Sequence, residues 1–387
     1  MTAKAGCGTS ARREPRRAGA EAASEAVAAL GGEEPALVLL FARTGWDLDE
    51  LLAGVREATG DAPLLGCTSS GHFAGGAYQE PASGVAVLVL PQGDRRFGVA
   101  CARGARDRPE EAGAEVARLA RAAADRDGRP SGTLLLLTDG LAGDQERILR
   151  GVHRALGSGV PVVGAAASDD RAQAQTLVFC GGEVVADACV AAWIASPEPL
   201  RVVTGHGWTP TGAPLLVTAT AGPVLHELDG RPARDAYYEL LGIHAGMPEV
   251  ERAALVNGHP LGILQPDGSW VIRHVRARVD AAGLRLFAPV PLNAAVQVMT
   301  GGLDDLLAVC GPLVSDSLAG RSDATAVLAF SCLARHSILG PRVVEEVDAL
   351  QAAAGDVPVV GFYTYGEFAR TSSVVGFHNA SISAVAL

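Results

Sequence analysis

Lysine is almost absent from this chain of 387 residues, and its scarcity excludes several kinds of chemistry. The one lysine is Lys4, so the body of the chain has neither the lysine of a phosphate-binding P-loop nor one that could form a Schiff base. A GxGxxG loop after a strand, a GxSxG elbow and an HExxH helix are also missing. The familiar enzyme signatures therefore do not account for this sequence.

CxxC pairs and long apolar segments are missing as well. The seven cysteines are irregularly spaced, which favours a reducing, cytoplasmic setting with mostly buried thiols. The longest apolar runs, such as Ala188–Ala195, are too short to span a bilayer and are typical of buried strands. The first thirty residues lack the apolar region of a secretory signal. We therefore expect no membrane association.

Positive charge is also in short supply. The net charge of −11 argues against nucleic acid as a partner. The basic residues that open the chain, Arg12, Arg13, Arg16 and Arg17, are accompanied by little that could be buried. We therefore expect residues 1–20 to form a disordered basic arm.

The rest of the chain repeats one order of elements three times: strand, helix, strand, hairpin. The first copy has a strand at Ala36–Ala42, a helix that Asp47 caps and Gly60 ends, a strand from Pro63, and a hairpin over Gly84–Cys101. The later copies lie at Thr133–Thr138, Gln145–Leu156, Val160–Gly164 and Thr176–Ala195, and at Ala326–Phe330, Val343–Ala353, Val357–Gly361 and Ala380–Leu387. This order predicts an α/β fold of two related halves of mixed β-sheet flanked by helices, built from repeated β-α-β-hairpin units.

Two prolines mark a junction between the halves. Pro197 and Pro199 interrupt the pattern within Ser196–Leu200. We therefore expect one domain at 30–200 and a second at 201–387.

One phrase occurs near both ends of the chain. APLLGCTSSGHF at Ala62–Phe73 aligns without a gap to VPVVGFYTYGEF at Val357–Phe368, with His72 in the place of Glu367. The ends of strands in α/β sheets commonly carry ligand sites, so we expect the two copies to reach a shared cleft. The alternative is that Pro-x-x-Gly only packs a strand against a helix.

These motifs resemble the FIST family. The first part is similar through PLLGCTSSG, LLLLTDG and VPVVGAAASDD, and the second through GHGWTPTG, ELDGRPA, SCLARHSILG and GFYTYGEF followed by GFHN. The resemblance implies a FIST N-terminal and a FIST C-terminal domain that act as a sensory module of intracellular signal transduction. It also implies a small ligand, with amino acids the family's suggested ligands. Some members are described as haem-binding nitric oxide sensors. The family's first-half phrase usually ends in GE, so His72 departs from it.

The resemblance also implies a separate output protein. The chain carries no kinase, cyclase or DNA-binding region, so a histidine kinase or another signalling protein would have to act as the partner.

Two stretches near the end of the chain contain several of the candidate ligand-binding residues. Cys332 and Arg335 follow a buried strand, where the arginine could bind a ligand carboxylate. Tyr363, Tyr365 and Glu367 alternate and would share a face of an extended strand. The alternative in both places is a structural role. The remaining candidates are His72, His206, Trp208, His378 and Asn379.

His206 and Trp208 flank a glycine, where the histidine could ligate haem iron or the pair could stack on a ligand. A hydrogen-bonded structural histidine is the alternative, and we expect no cofactor and no metal. The sequence thus predicts a ligand-binding sensor without catalysis. The alternatives are a haem-binding nitric oxide sensor or an enzyme that uses Cys332 or Glu367.

Overall fold

The computed structural model describes residues 4–124, 129–170, 172–276, 283–370 and 376–387. Two successive β/α units make up the first half of the chain. The first unit contains β1 (Gly6–Ser10), α1 (Pro15–Ala28), β2 (Pro35–Ala42), α2 (Leu48–Thr59), β3 (Leu64–Thr68), β4 (His72–Ala74), β5 (Ala77–Gln79) and β6 (Val85–Pro91). The second contains β7 (Arg96–Arg103), α3 (Pro109–Ala123), β8 (Ser131–Thr138), α4 (Gln145–Leu156), β9 (Val162–Ala166), β10 (Val178–Cys180), β11 (Glu183–Val185) and β12 (Ala188–Ser196).

A third unit and an insertion make up the second half. After β13 (Val202–Gly205) the insertion contains β14 (Thr209–Ala221), β15 (Val224–Leu228), β16 (Arg231–Pro232), α5 (Ala233–Leu240), α6 (Glu249–Gly258), β17 (Leu261–Leu264), β18 (Trp270–Arg273), β19 (Leu284–Arg285) and β20 (Ala295–Thr300). The third unit then resumes with α7 (Leu303–Ala308), α8 (Cys310–Leu318), β21 (Val327–Cys332), α9 (Leu333–Leu339), a 3₁₀ turn at Gly340–Arg342, α10 (Val343–Ala354), β22 (Val359–Thr364), β23 (Gly366–Ala369), β24 (Phe377–His378) and β25 (Ile382–Ala386).

Each unit builds four strands of a six-stranded sheet and receives the remaining two from another unit. The sheet orders are β1-β6-β2-β3-β10-β11, β24-β23-β9-β8-β12-β7 and β13-β25-β21-β22-β4-β5. The second unit therefore completes the first sheet, the third unit completes the second, and the first unit completes the third. The exchange closes into a ring of three related sheets.

Local signals set the helices that the sequence predicts. The side chain of Asp47 accepts a hydrogen bond from the backbone N–H of Glu50 at 3.1 Å, which caps α2. Asp144 caps α4 through the backbone N–H groups of Glu146 and Arg147. The predicted class of mixed sheets flanked by helices and built from repeated units is confirmed.

A shared core joins the three sheets. Aromatic side chains from the first and third units meet there, with the rings of Phe41 and Phe362 4.6 Å apart between centroids. Leu135 of the second unit belongs to the same buried cluster. The insertion has its own smaller core around Tyr237 and its own sheet, in the order β16-β15-β14-β20-β17-β18 with β19 on β15.

Two sequence predictions need correction. Residues 4–20 are not a disordered arm, because β1 pairs with β6 and α1 packs on α2. The small residues Ala18, Ala22 and Ala26 form a buried stripe at helical spacing, which the arginines on the exposed side obscured. The hairpin predicted over Gly84–Cys101 is also wrong: β6 and β7 lie in different sheets, and alternation along a strand does not indicate its pairing partner.

Candidate functional site

A cavity of about 320 Å³ lies between the insertion and the end of the third sheet; we call it the main cavity. Cys332 at the end of β21, Thr364 at the end of β22, and Asn379 just after β24 line it from the third unit. The insertion contributes mainly the segments around β18 and β19. The residues it supplies are Asn257, His274, Val275, Arg276 and Phe287.

Three polar atoms on the wall of the main cavity have no hydrogen-bond partner in the described part of the chain. They are Oδ1 of Asn379, Nδ1 of His274 and Nε of Arg276. Asn379 is only 1% exposed, and its amide nitrogen is already engaged with the carbonyl of His378. Buried polar groups are normally paired, so these three atoms leave hydrogen-bonding capacity for a polar ligand or water at this cavity.

The charge on this wall is positive. Among the described lining residues Arg276 is the only charged one. Its guanidinium lies 4.5 Å from the centre of the Phe287 ring and forms no ion pair within the described ranges. Burial lowers the pKa of His274 to about 4, so this imidazole is neutral near pH 7. The cavity therefore favours an anionic group, such as a carboxylate.

A hydroxyl and carboxyl cluster lies beneath the floor of the main cavity. Glu367 is fully buried and accepts hydrogen bonds from Thr364 at 2.6 Å and Ser381 at 2.7 Å. Cys332 neighbours this cluster: it pairs with Thr364 across β21 and β22, and its backbone N–H donates to the carbonyl of Ser381. Burial raises the pKa of Glu367 to about 8 despite these hydrogen bonds.

A second cavity of about 320 Å³, the adjoining cavity, shares four lining residues with the first: Gln173, Arg276, Phe287 and Tyr365. The hydroxyl of Tyr365 donates to Oδ1 of Asp169. That carboxylate also accepts from three successive backbone N–H groups, 173–175, so it holds the loop after β9 against this boundary.

The predicted shared face of Tyr363, Tyr365 and Glu367 is not formed. The chain leaves one sheet after Thr364 and joins another at Gly366, so the strict alternation of a strand stops at Tyr365. Tyr363 packs instead against α9, where the centroid of its ring is 4.7 Å from that of His336. Only Tyr365 of these three side chains lines the main cavity.

Arg335 does not line the main cavity, which corrects the expectation that it binds a ligand carboxylate. Its side chain is fully buried and forms an ion pair with Glu346 at 2.5 Å. It also donates to the carbonyls of His206 and Leu306. Burial alone would lower the pKa of Arg335, but the charge of Glu346 outweighs it and raises that pKa.

His72 lies away from both cavities, so the structure does not bring it to a cleft shared with Glu367. It pairs with Phe362 across the third sheet and its Nδ1 is 2.9 Å from the hydroxyl of Ser69. Burial lowers the pKa of His72 to about 3, so its imidazole is neutral and cannot replace the family's carboxylate with a charge of either sign near pH 7.

His206, Trp208 and His378 line a third, open cavity of about 770 Å³, which we call the histidine cavity. Nδ1 of His206 accepts the backbone N–H of Trp208 at 2.9 Å, and the indole donates to the carbonyl of Ala380. Nε2 of His378 lies 2.8 Å from the carbonyl of Ala369. His378 and Asn379 therefore line different cavities although they are adjacent in the chain, and only Asn379 lines the main cavity.

Sequence reasoning missed Arg276, His274 and Phe287. A signal was present: His274 and Arg276 alternate in RHVRARV, which places two basic side chains on one face of an extended segment. Nothing in the sequence alone indicated that this segment faces the end of β21.

Family models match most of the chain: one for the FIST N domain over residues 36–231 and one for the FIST C domain over 233–370. The chain belongs to the FIST family. This family is associated with the sensing of small ligands in signal transduction.

Similar proteins include the uncharacterized protein Rv0628c of Mycobacterium tuberculosis, 27% identical over 98% of both chains. The uncharacterized protein MJ1623 of Methanocaldococcus jannaschii is 26% identical over 58% of this chain, and the match spans 46% of its own length. A solved structure of cyanuric acid hydrolase aligns over 100% of both chains at 11% identity with a TM-score of 0.34. Similarity of that degree carries no inference about function.

The described residues contain no group of three or more His, Cys, Asp or Glu side chains arranged to hold a metal ion. In the same parts of the chain, no helix has both the length and the apolar character needed to cross a membrane.

Proposed function

We propose that this FIST protein is a cytoplasmic sensor whose main cavity binds a small metabolite bearing a carboxylate, an amino acid or a related compound. The binding signal passes to a separate output protein, such as a histidine kinase. One observation carries the proposal: Arg276, which has no ion-pair partner among the described residues, shares the cavity with the unpartnered amide oxygen of Asn379.

The lining chemistry supports a small polar ligand with two kinds of group. Arg276 suits a carboxylate, which its guanidinium can bind through two hydrogen bonds. Oδ1 of Asn379 and Nδ1 of the neutral His274 can accept hydrogen bonds from an amine or a hydroxyl. A cavity of about 320 Å³ has the size of a small-metabolite site.

The position of the cavity supports sensing rather than turnover. A ligand there would contact the insertion through Arg276 and the third unit through Asn379, so its binding energy would act between two parts of the fold. We propose that the ligand is released unchanged and that no cofactor is needed.

Native mass spectrometry of freshly purified protein tests whether a small molecule co-purifies. Calorimetric titration with a panel of amino acids and 2-oxo acids then gives affinities for the wild-type chain and for Arg276→Gln. Losing the half-buried charge of Arg276, which a bound carboxylate would cover, should weaken binding by about 2–5 kcal/mol. Arg252→Gln is the matched control, because Arg252 lies in the same insertion but pairs with Glu249 outside the main cavity.

Equal affinity in the wild-type chain and Arg276→Gln would exclude the proposed carboxylate site. Nuclear magnetic resonance of the ligand during a long incubation tests the absence of turnover. Consumption of the bound compound would show that the protein is an enzyme and would contradict the proposed sensor function.

A further inference from the structure

The floor of the main cavity places a thiol beside a carboxyl group. Cys332 lines the cavity, pairs with Thr364 across β21 and β22, and donates its backbone N–H to the carbonyl of Ser381. Thr364 and Ser381 are the two residues whose hydroxyls bind Glu367, so the cysteine and this carboxyl are neighbours. A nucleophilic atom on the floor of the cavity therefore lies beside a carboxyl group.

This arrangement differs from that of an ordinary buried cysteine. Burial, followed by the charge of Glu367, raises the pKa of Cys332 well above its usual value, so the thiol keeps its proton in the free protein. Glu367 is the adjacent proton-transferring group, held in place by Thr364 and Ser381, and near pH 7 it carries a proton of its own. Independently of the cysteine, the 1% exposed Asn379 lines the same cavity and has an unpartnered side-chain oxygen.

The wall also disfavours one of the two ligand classes. No aspartate or glutamate is among the described residues that line the main cavity, so an ammonium group would find only neutral acceptors. A small acid with a carbonyl group would use the features that are present: the cation of Arg276, the thiol of Cys332 and the acceptor on Asn379.

We propose that Cys332 binds a small 2-oxo acid by reversible covalent addition, with Glu367 transferring the thiol proton. This inference rests on the proposed function of the main cavity, for which it names the ligand class.

The step is a simple addition. The sulfur of Cys332 forms a bond to the carbonyl carbon as the carbon–oxygen π bond opens, and the protonated carboxyl of Glu367 gives its proton to that oxygen, which becomes a hydroxyl. The S–H bond of Cys332 breaks, and its proton restores the protonated carboxyl of Glu367. Nothing is oxidised and no group leaves, so reversal returns the ligand unchanged. The new hydroxyl can donate to Oδ1 of Asn379 while Arg276 holds the carboxylate.

Pyruvate labelled with ¹³C at its carbonyl carbon is the probe. In the wild-type chain we expect a new bound resonance in the region of tetrahedral carbon, separate from that of free pyruvate hydrate. The resonance should disappear in Cys332→Ser and Cys332→Ala and persist in Cys101→Ser, whose thiol lies on β7 away from the cavity. Glu367→Gln should slow formation of the adduct by about 100-fold, as expected for loss of a proton-transferring group.

A second measurement uses the unmodified chain. Pyruvate should slow the alkylation of Cys332 by iodoacetamide and leave that of Cys101 unchanged, as followed by peptide mass mapping. Absence of the tetrahedral resonance together with absence of protection would overturn the covalent inference. If calorimetry still showed binding that depends on Arg276, the proposed sensor function would stand without the covalent step. If calorimetry also showed no binding, the sensor function and the covalent inference would both be wrong. A resonance that survived both Cys332 variants would place the reactive group elsewhere.

Discussion

The hydroxyl of Thr364 donates a hydrogen bond to Oε1 of Glu367, three residues further along the chain, at 2.6 Å. Ser69 and His72 are related in the same way in the first unit, 2.9 Å apart. In both places the chain leaves one sheet and adds its next strand to another. The repeated phrase therefore forms the crossing between sheets, and only the copy that ends in Glu367 does so beneath the main cavity.

The buried carboxyl of Glu367 should make stability depend on pH. Its pKa is about 8 in the folded protein, against 4.5 for an unperturbed glutamate. Between about pH 5 and pH 8 the folded chain keeps a proton that the unfolded chain has released, so the free energy of unfolding falls as pH rises. Below this range the contribution is constant, and above it the loss is complete.

Glu367→Gln cannot titrate and should lack this dependence. Relative to wild type, its free energy of unfolding should rise by on the order of 3 kcal/mol from about pH 5 to about pH 8.5. Denaturant unfolding at the two pH values gives the difference, with Glu80→Gln as an exposed control. A constant offset between Glu367→Gln and wild type would mean that the carboxyl is ionised throughout.

The ion pair of Arg335 and Glu346 should contribute to stability and not to ligand binding. Both side chains are fully buried, so Arg335→Met leaves an unpaired charge in the core and should cost about 3–5 kcal/mol. The double variant Arg335→Met/Glu346→Leu should recover most of that loss. Denaturant unfolding of the single and double variants measures both effects. A stable Arg335→Met protein that has lost ligand binding would restore the role predicted from the sequence.

Helix packing in the second unit depends on a glycine. A Cβ on Gly151 would lie 1.9 Å from the backbone oxygen of Glu110, so α3 and α4 cross at this point. Gly151→Ala should lower the free energy of unfolding by about 1–3 kcal/mol through overpacking, although alanine favours helix. Gly311→Ala is the control: it also lies in a helix but would meet nothing within 4 Å, so it should be neutral or stabilising. Equal effects of the two variants in thermal melts would contradict this account.

Haem should not bind stoichiometrically. Nδ1 of His206 already accepts the N–H of Trp208, as expected for a structural histidine, and burial lowers its pKa to about 4. Titration with haem, followed by absorption spectroscopy, should give no saturating one-to-one Soret band. A saturating band that His206→Ala abolishes would favour the gas sensor among the family's functions.

The sequence predicts local structure in this chain far better than it predicts which parts meet. The apolar strands and the Asp47 cap follow from spacing and short-range hydrogen bonds, and α4 is found at the predicted residues. The partner of Arg335 was not predictable in this way, because Glu346 lies on a different helix and their contact depends on tertiary packing. The same limit applies to Arg276, which reaches the main cavity only because the insertion folds back over the third sheet.

The ring of exchanged strands has a consequence for how the molecule can be divided. Cutting the chain between β12 and β13 would leave the first fragment without β23 and β24, and the second without β4 and β5. Each fragment would then expose an open sheet edge that the other is shaped to cover. The two halves of the chain are therefore complementary pieces of one structure rather than modules that could be moved separately between proteins.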